Sequence, residues 1–257
     1  MYRRNQTSSI DQNAQTPPAI MQFIMDRFGL TWDPCPPNYT IDGLSRDWAP
    51  GAYVNPPFKH CRQWLRKAQS DGSYAVFLLP ATKLHCRDME SIWPCIGYMT
   101  LLSDLITFQN YSKPLNKAMT LLSLNCHPPP GVSHHCHAYY WSQLKNRTID
   151  GLMSALQTFD PVLVTARPSQ QLPALLQQER FVILMPSRLD LKSVRQNLHL
   201  LTEIIFCPNV KQKAEDKDTL WIPPIILTRG CQIAALLEGM HQHPIPVQWL
   251  NLKKSIP

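Results

Sequence analysis

The stretch "GAYVNPPFKHCRQWLRKAQSDGSYAVFLLP", residues 51–80, decides the fold class. Its short apolar run Gly51–Val54 must stop at Asn55, because Pro56 and Pro57 have no N–H to offer a neighbouring strand. "FKHCRQWLRKAQ" (58–69) then spaces its apolar residues as a helix does and leaves a basic face. "YAVFLLP" (74–80) is apolar without alternation, the pattern of a strand covered on both faces. Strand, helix and strand in this order predict parallel pairing with a right-handed crossover.

Working outward, the first fifteen residues are polar and are expected to be a disordered tail. "TPPAIMQFIMDRF" (16–28) predicts a helix capped by Thr16 with prolines in its opening turn. "LTWDPC" (30–35) reads as a short strand broken at Asp33-Pro34. Downstream, "CHPPPGVSHHCHAYYW" (126–141) has the composition of a linker, which divides the chain into domains at 16–125 and 142–257.

The second half echoes the first. "NYTIDGL" (38–44) returns as "NRTIDGL" (146–152), "YAVFLLPATK" as "RFVILMPSRL", and "LLSDLITFQNYSK" as "LLTEIIFCPNVK", all in the same order. The expected fold class is therefore α/β, a Rossmann-like domain followed by a second, degenerate copy. In that alignment "YVNPPFKH" faces "LVTARPSQ" (163–170), so Asn55 becomes Thr165 and the aromatic is lost.

Composition narrows the partners. A hydrophobic fraction of 44% over 257 residues supports a full core, and a net charge of +7 suits an anionic partner such as nucleic acid. With 24 prolines against 9 glycines the loops are rigid rather than low-complexity. No run approaches the roughly 20 apolar residues of a membrane span, and the basic start lacks the apolar core of a secretory signal. The eight cysteines form no dense framework, so a reducing, intracellular location without membrane attachment is expected. Cys126, His127, His134, His135, Cys136 and His137 do not keep the spacing of zinc-ligand pairs, and no metal site is assigned.

The asparagine loop has a chemical reading. The exocyclic amine of adenine is a poor nucleophile because its lone pair is delocalised into the ring. Two acceptors aimed at its N–H bonds localise that pair, and the Asn55 side-chain oxygen and Pro56 carbonyl can supply both. Two prolines hold them rigidly. Phe58 offers a ring on which an extruded base can stack, worth roughly 1–3 kcal/mol per base.

With "TPP" (16–18), "FGLTWDPC" (28–35), "DGLSRDW" (42–48), "VNPPF" (54–58) and "FLLPAT" (77–82) in this order, the first half resembles the S-adenosylmethionine-dependent amino-methyltransferase superfamily, most closely phage-type DNA N6-adenine methyltransferases. The resemblance implies a catalytic loop of Asn55, Pro56, Pro57 and Phe58. It implies cofactor contacts from Thr16, Asp33, Pro34, Asp42 and Trp48. Lys59, Arg62, Arg66 and Lys67 are the expected DNA-facing residues, with RNA a lesser partner. The likeness carries a viral or mobile-element origin with it by analogy.

Plainer readings stand beside these. Asp33 before proline and Asp42 before glycine are ordinary turn residues; Trp48 and Trp64 suit a core; the basic residues suit a solvated helix face. The segment between Cys35 and Asp42 is short for the family, and the second half has lost the loop. The alternative is thus a catalytically inactive, methyltransferase-derived nucleic-acid-binding or structural protein. Loops of this kind also methylate RNA adenines and protein glutamines. Oligomeric state and target sequence are left open.

Overall fold

The structure is a computed structural model. It describes residues 14–36, 42–86, 88–126, 136–141, 149–156, 159, 162–164, 168–187, 189, 191–208, 224–237, 240 and 243–256. The protein is α/β with mixed sheets. Two compact units emerge. The first comprises the described residues among 14–83, 91–126 and 246–256, the second those among 84–90 and 136–245.

In the first unit, helix α1 (Pro18–Phe28) leads through Trp32 to strand β1 (Ala52–Val54), helix α2 (Cys61–Asp71) and strand β2 (Ala75–Pro80). α1 buries Ile24 and Phe28 and ends at Gly29, whose φ of 62° lets the Leu30 N–H bond the Met25 carbonyl. α2 buries Cys61, Trp64, Leu65 and Ala68, the stripe that its periodicity predicts. β1 and β2 pair in parallel, as expected, and β2 is buried throughout. The rest of this sheet is not parallel. After the short helix α3 (Met89–Ile92), β3 (Ile96–Leu102) and β4 (Met119–Leu124) form an antiparallel pair, and β4 slots in against β2. The fifth strand, β10 (Ile245–Leu250), lies parallel to β3. The order is β1-β2-β4-β3-β10. The core on one face joins Ile24, Phe28, Tyr53, Phe58, Tyr98, Phe108 and Leu121, with Leu250 and Leu252 of the chain's last segment.

The second unit holds β5 (Cys136–Tyr140), helix α4 (Ile149–Leu156), β6 (Val162–Val164), helix α5 (Pro168–Leu175), β7 (Phe181–Pro186), helix α6 (Lys192–Asn197), β8 (Glu203–Phe206) and β9 (Pro224–Arg229). Its order is β6-β7-β9-β8-β5. The directions repeat those of the first unit: parallel, antiparallel, antiparallel, parallel. The registers correspond as well. Val54, Phe77, Leu122, Met99 and Val247 form one row across the first sheet. Leu163, Ile183, Leu227, Ile204 and Ala138 form the matching row across the second. Into this unit also reaches the segment around His85, whose Nε2 hydrogen-bonds Ser187 Oγ and whose ring meets Phe206 edge-on. Burial pulls the imidazole down to about 3, so it is neutral at physiological pH.

Several expectations need correcting. The stretch read as a linker, 126–141, contains β5, in which Cys136, Ala138 and Tyr140 are buried in alternation. The boundary drawn there also misplaces the chain's end, since β10 and helix α7 (Leu252–Ser255) belong with the first unit. The α1 cap position is Pro17, with no side-chain cap; the Thr16 hydroxyl is engaged elsewhere. Of the three echoes, only the one spanning β2 and β7 falls on equivalent strands. Asp42 and Gly43 of the first "TIDGL" form a turn, whereas residues 149–152 of the second lie in α4. In the third echo Leu101-Leu102 end β3, but Leu200-Leu201 precede β8. By sheet register Asn55 stands in the row of Val164, one residue away from Thr165. Thr165, Ala166 and Arg167 lie outside the described residues, as do tail residues 1–13 and His127, His134 and His135.

Candidate active site

β1 is held on one side by β2 and on the other by a single parallel bridge, Trp32 to Ala52, with the Tyr53 N–H donating to the Trp32 carbonyl at 2.9 Å. Asn55-Pro56-Pro57 then leaves the sheet at the carboxyl end of the strand. The turn closes when the His60 N–H bonds the Pro57 carbonyl at 2.8 Å, one residue before α2. Two successive prolines therefore fix where the Asn55 side chain emerges.

The Asn55 amide is oriented by its own donors. Nδ2 donates to the Ala14 carbonyl at 2.6 Å and to Thr16 Oγ1 at 3.0 Å. A carbonyl can only accept, so the nitrogen must face Ala14 and the oxygen must face away. That oxygen, Oδ1, is buried and has no hydrogen-bond partner. A buried, unpaired acceptor costs about 1–3 kcal/mol, and Oδ1 shares this state with the Tyr98 and Thr100 hydroxyls among the described residues.

Thr16 completes the arrangement through Tyr53, the two hydroxyls lying 2.7 Å apart. Burial pushes the Tyr53 phenol far up, the Thr16 bond opposing and the Asp33 carboxylate adding to the shift. Tyr53 is thus a neutral hydroxyl. Neither Ala14 nor Tyr53 was marked by the sequence pattern: a backbone carbonyl leaves no trace in residue identity, and Tyr53 reads simply as a strand aromatic.

On the neighbouring segment Asp33 Oδ1 accepts from the Cys35 N–H at 2.7 Å, and burial raises its carboxyl to about 6 against the pull of that bond. Burial, then Asp33 and Asp42, push the Cys35 thiol up to about 12. Pro34 is buried, and its carbonyl lies so close to Gly43 that a Cβ there would come within 2.1 Å of the oxygen. Asp42 Oδ1 accepts from the Leu44 N–H at 2.9 Å in an exposed turn. This is the turn role its position before glycine suggests.

Two aromatic expectations fail. Phe58 is 4% exposed and packs edge-on against Phe108 at 6.3 Å, so its ring belongs to the core and presents no face to a base. Trp48 is enclosed by Trp32, Trp64 and Phe77, and its Nε1 donates to the Gly43 carbonyl at 2.8 Å. Hydrophobic burial outweighs any contact either ring could offer at the surface.

Lys59, Arg62 and Arg66 are exposed and recur at spacings of three and four residues on one side of α2 and its entry turn. Lys67 is turned to Asp71, its Nζ 2.7 Å from the carboxylate. Among the described residues no three His, Cys, Asp or Glu side chains converge as metal ligands do, and no helix is long and apolar enough to cross a membrane.

No known family, curated protein or solved structure matches this chain.

Proposed function

We propose that the first unit is a Rossmann-like methyltransferase domain that transfers a methyl group from S-adenosylmethionine to the exocyclic amine of adenine in DNA. The observation that carries this reading is the buried Asn55 Oδ1, left without a partner while Nδ2 is tied to Ala14 and Thr16. An acceptor held this way suits an amine that must be drawn out of conjugation, and the Pro56 carbonyl beside it is the second acceptor. Because Oδ1 is shielded from solvent, the base displaces its cover on entry.

S-Adenosylmethionine, when bound, supplies an electrophilic methyl carried on a sulfonium. Of the residues the family likeness assigns to it, Asp33 fits best: an acid on the segment bridged to β1, suited to hydroxyl or ammonium groups. Pro34 shapes the same turn. Thr16 is occupied in orienting Asn55, Asp42 in its turn and Trp48 in the core, and these three are not assigned to the cofactor. Lys59, Arg62 and Arg66 suit contact with DNA phosphates.

The second unit is, on this proposal, a degenerate copy of the first. The identical strand order and directions support a duplication, although two of the three sequence echoes do not. The sequence after β6 carries neither the asparagine nor the paired prolines. An intracellular setting fits both a DNA substrate and cysteines that form no disulfide.

A second reading has its own observation. With Phe58 and Trp48 packed inside, neither ring offers a stacking face, which favours an inactive nucleic-acid-binding or structural derivative. Calorimetry with S-adenosylmethionine separates the two: absence of binding at millimolar cofactor ends the enzymatic proposal. Transfer of labelled methyl to DNA, and not to RNA or protein glutamine, is the expected result.

A further inference from the structure

We propose that the C-terminal half acts as a strand donor to the first unit, in a reciprocal exchange that makes each half of the chain a structural part of the other's sheet. This inference is independent of any activity at Asn55.

In chain order β5 follows β4 just as β10 follows β9, so the two strands are counterparts. Each nevertheless sits on the third strand of the other copy. β10 aligns Val247 with Met99, Gln248 with Thr100, Trp249 with Leu101 and Leu250 with Leu102. β5 aligns His137 with Glu203, Ala138 with Ile204, Tyr139 with Ile205 and Tyr140 with Phe206. Val247 lies on the row of Phe77 and Ala138 on the row of Ile183, the residues that the echo between β2 and β7 matches, so these two positions correspond if the strands are exchanged.

The donated segment is anchored at several points. The Ser103 N–H donates to the Leu250 carbonyl at 2.9 Å, and Arg27 Nη2 reaches Gln248 Oε1 at 2.9 Å. The Lys253 N–H meets Asp104 Oδ2 at 3.3 Å. Leu250 and Leu252 are buried in the core of the first unit, with Ile256 packed against it. In return, the Tyr140 hydroxyl bonds the Cys86 carbonyl at 2.9 Å, and the Trp141 N–H bonds the Phe206 carbonyl at 3.0 Å. Without β10 the edge of β3 would expose a row of unpaired N–H and C=O groups beside a gap in the core. A copy that has lost the asparagine loop is then still required, because it closes the sheet of the copy that kept it.

The test places cysteines across the ladders of the full-length chain, with a protease site inserted at residues 142–148 and cut after folding. Oxidised Met99→Cys/Val247→Cys is expected to give one non-reducing band containing both fragments, which reduction separates. Met99→Cys/Ala138→Cys, the pair an unexchanged fold would bring together, is expected to form no bond. A bond between positions 99 and 138, or fragments that separate with 99 and 247 unlinked, overturns the proposal. Hydrogen exchange on Gln248→Pro gives a second measurement. Amides of β3 are expected to exchange at least 10-fold faster while β7 and β9 keep their rates; unchanged protection in β3 also refutes the exchange.

Discussion

Replacing Asn55 with alanine separates a binding group from a structural one, because the two roles predict different energies. The substitution removes two hydrogen bonds, to Ala14 and Thr16, at about 0.5–1.5 kcal/mol each. It also removes a buried carbonyl that has no partner, which relieves about 1–3 kcal/mol. These offset within their ranges, so stability should change by no more than about 2 kcal/mol. Asn125 serves as the control: its Nδ2 donates to the Ala68 and Ser73 carbonyls at 3.0 Å each, and its φ of 56° disfavours alanine. Asn125→Ala should cost about 2–3 kcal/mol. Urea unfolding of both variants measures this, alongside labelled-methyl transfer to adenine-containing DNA. Transfer by Asn55→Ala should fall at least ~100-fold, the scale on which a preorganised polar group acts, with S-adenosylmethionine affinity within a few-fold. A variant that loses more than about 3 kcal/mol of stability while keeping its transfer rate would refute the reasoning and make the amide a structural clamp.

Three further outcomes follow from the same geometry. The folded Asp33 carboxyl titrates near 6 against 3.8 for the free group, so its contribution is favourable at low pH and lost as pH rises through the folded value. Asp33→Asn, which can still accept from the Cys35 N–H, should therefore be more stable than the native chain at pH 7.5 by about 1–3 kcal/mol, and the advantage should vanish by pH 4 in urea titrations. Gly43→Ala forces a methyl to within 2.1 Å of the Pro34 carbonyl, and thermal unfolding should register a loss above about 3 kcal/mol. Neutralising the exposed Lys59, Arg62 and Arg66 together should weaken DNA binding at every sequence and lower the salt slope by about 0.9 for each phosphate left without its cation, whereas Lys67→Gln, at a half-buried position beside Asp71, should change it little.

What the sequence disclosed was local. β1, α2 and β2 were legible because a double proline, a helical stripe and an unbroken apolar run each act within a few residues. β5 was hidden: its polar positions alternate with buried ones inside a proline- and histidine-rich stretch, and the strand it pairs with lies more than sixty residues downstream. The parallel frame was correct at β1 and β2, but no nearby residue announces that β4 will insert in the opposite direction. "TIDGL" shows the limit from the other side. Within one identical five-residue stretch, Asp42 and Gly43 form a turn in the first occurrence whereas residues 149–152 of the second lie in a helix, because Asp42 caps Leu44 and Gly43 is pressed onto Pro34. At the candidate site, the end of β1 before Asn55 was legible from its prolines. The orientation of the Asn55 amide was not, since it depends on the main chain of Ala14, and the fates of Phe58 and Trp48 were set by packing partners far along the chain.

The position of β10 has a consequence for biosynthesis. β3 leaves the ribosome complete at Leu102, but the strand that covers its edge ends only at Leu250. At about 5–20 residues per second, that edge waits roughly 7–30 s for its cover. During this interval the nascent chain presents an adhesive apolar ribbon to every neighbour on the same polysome. Slower elongation through the second half would lengthen the wait and should raise the demand for chaperones in proportion.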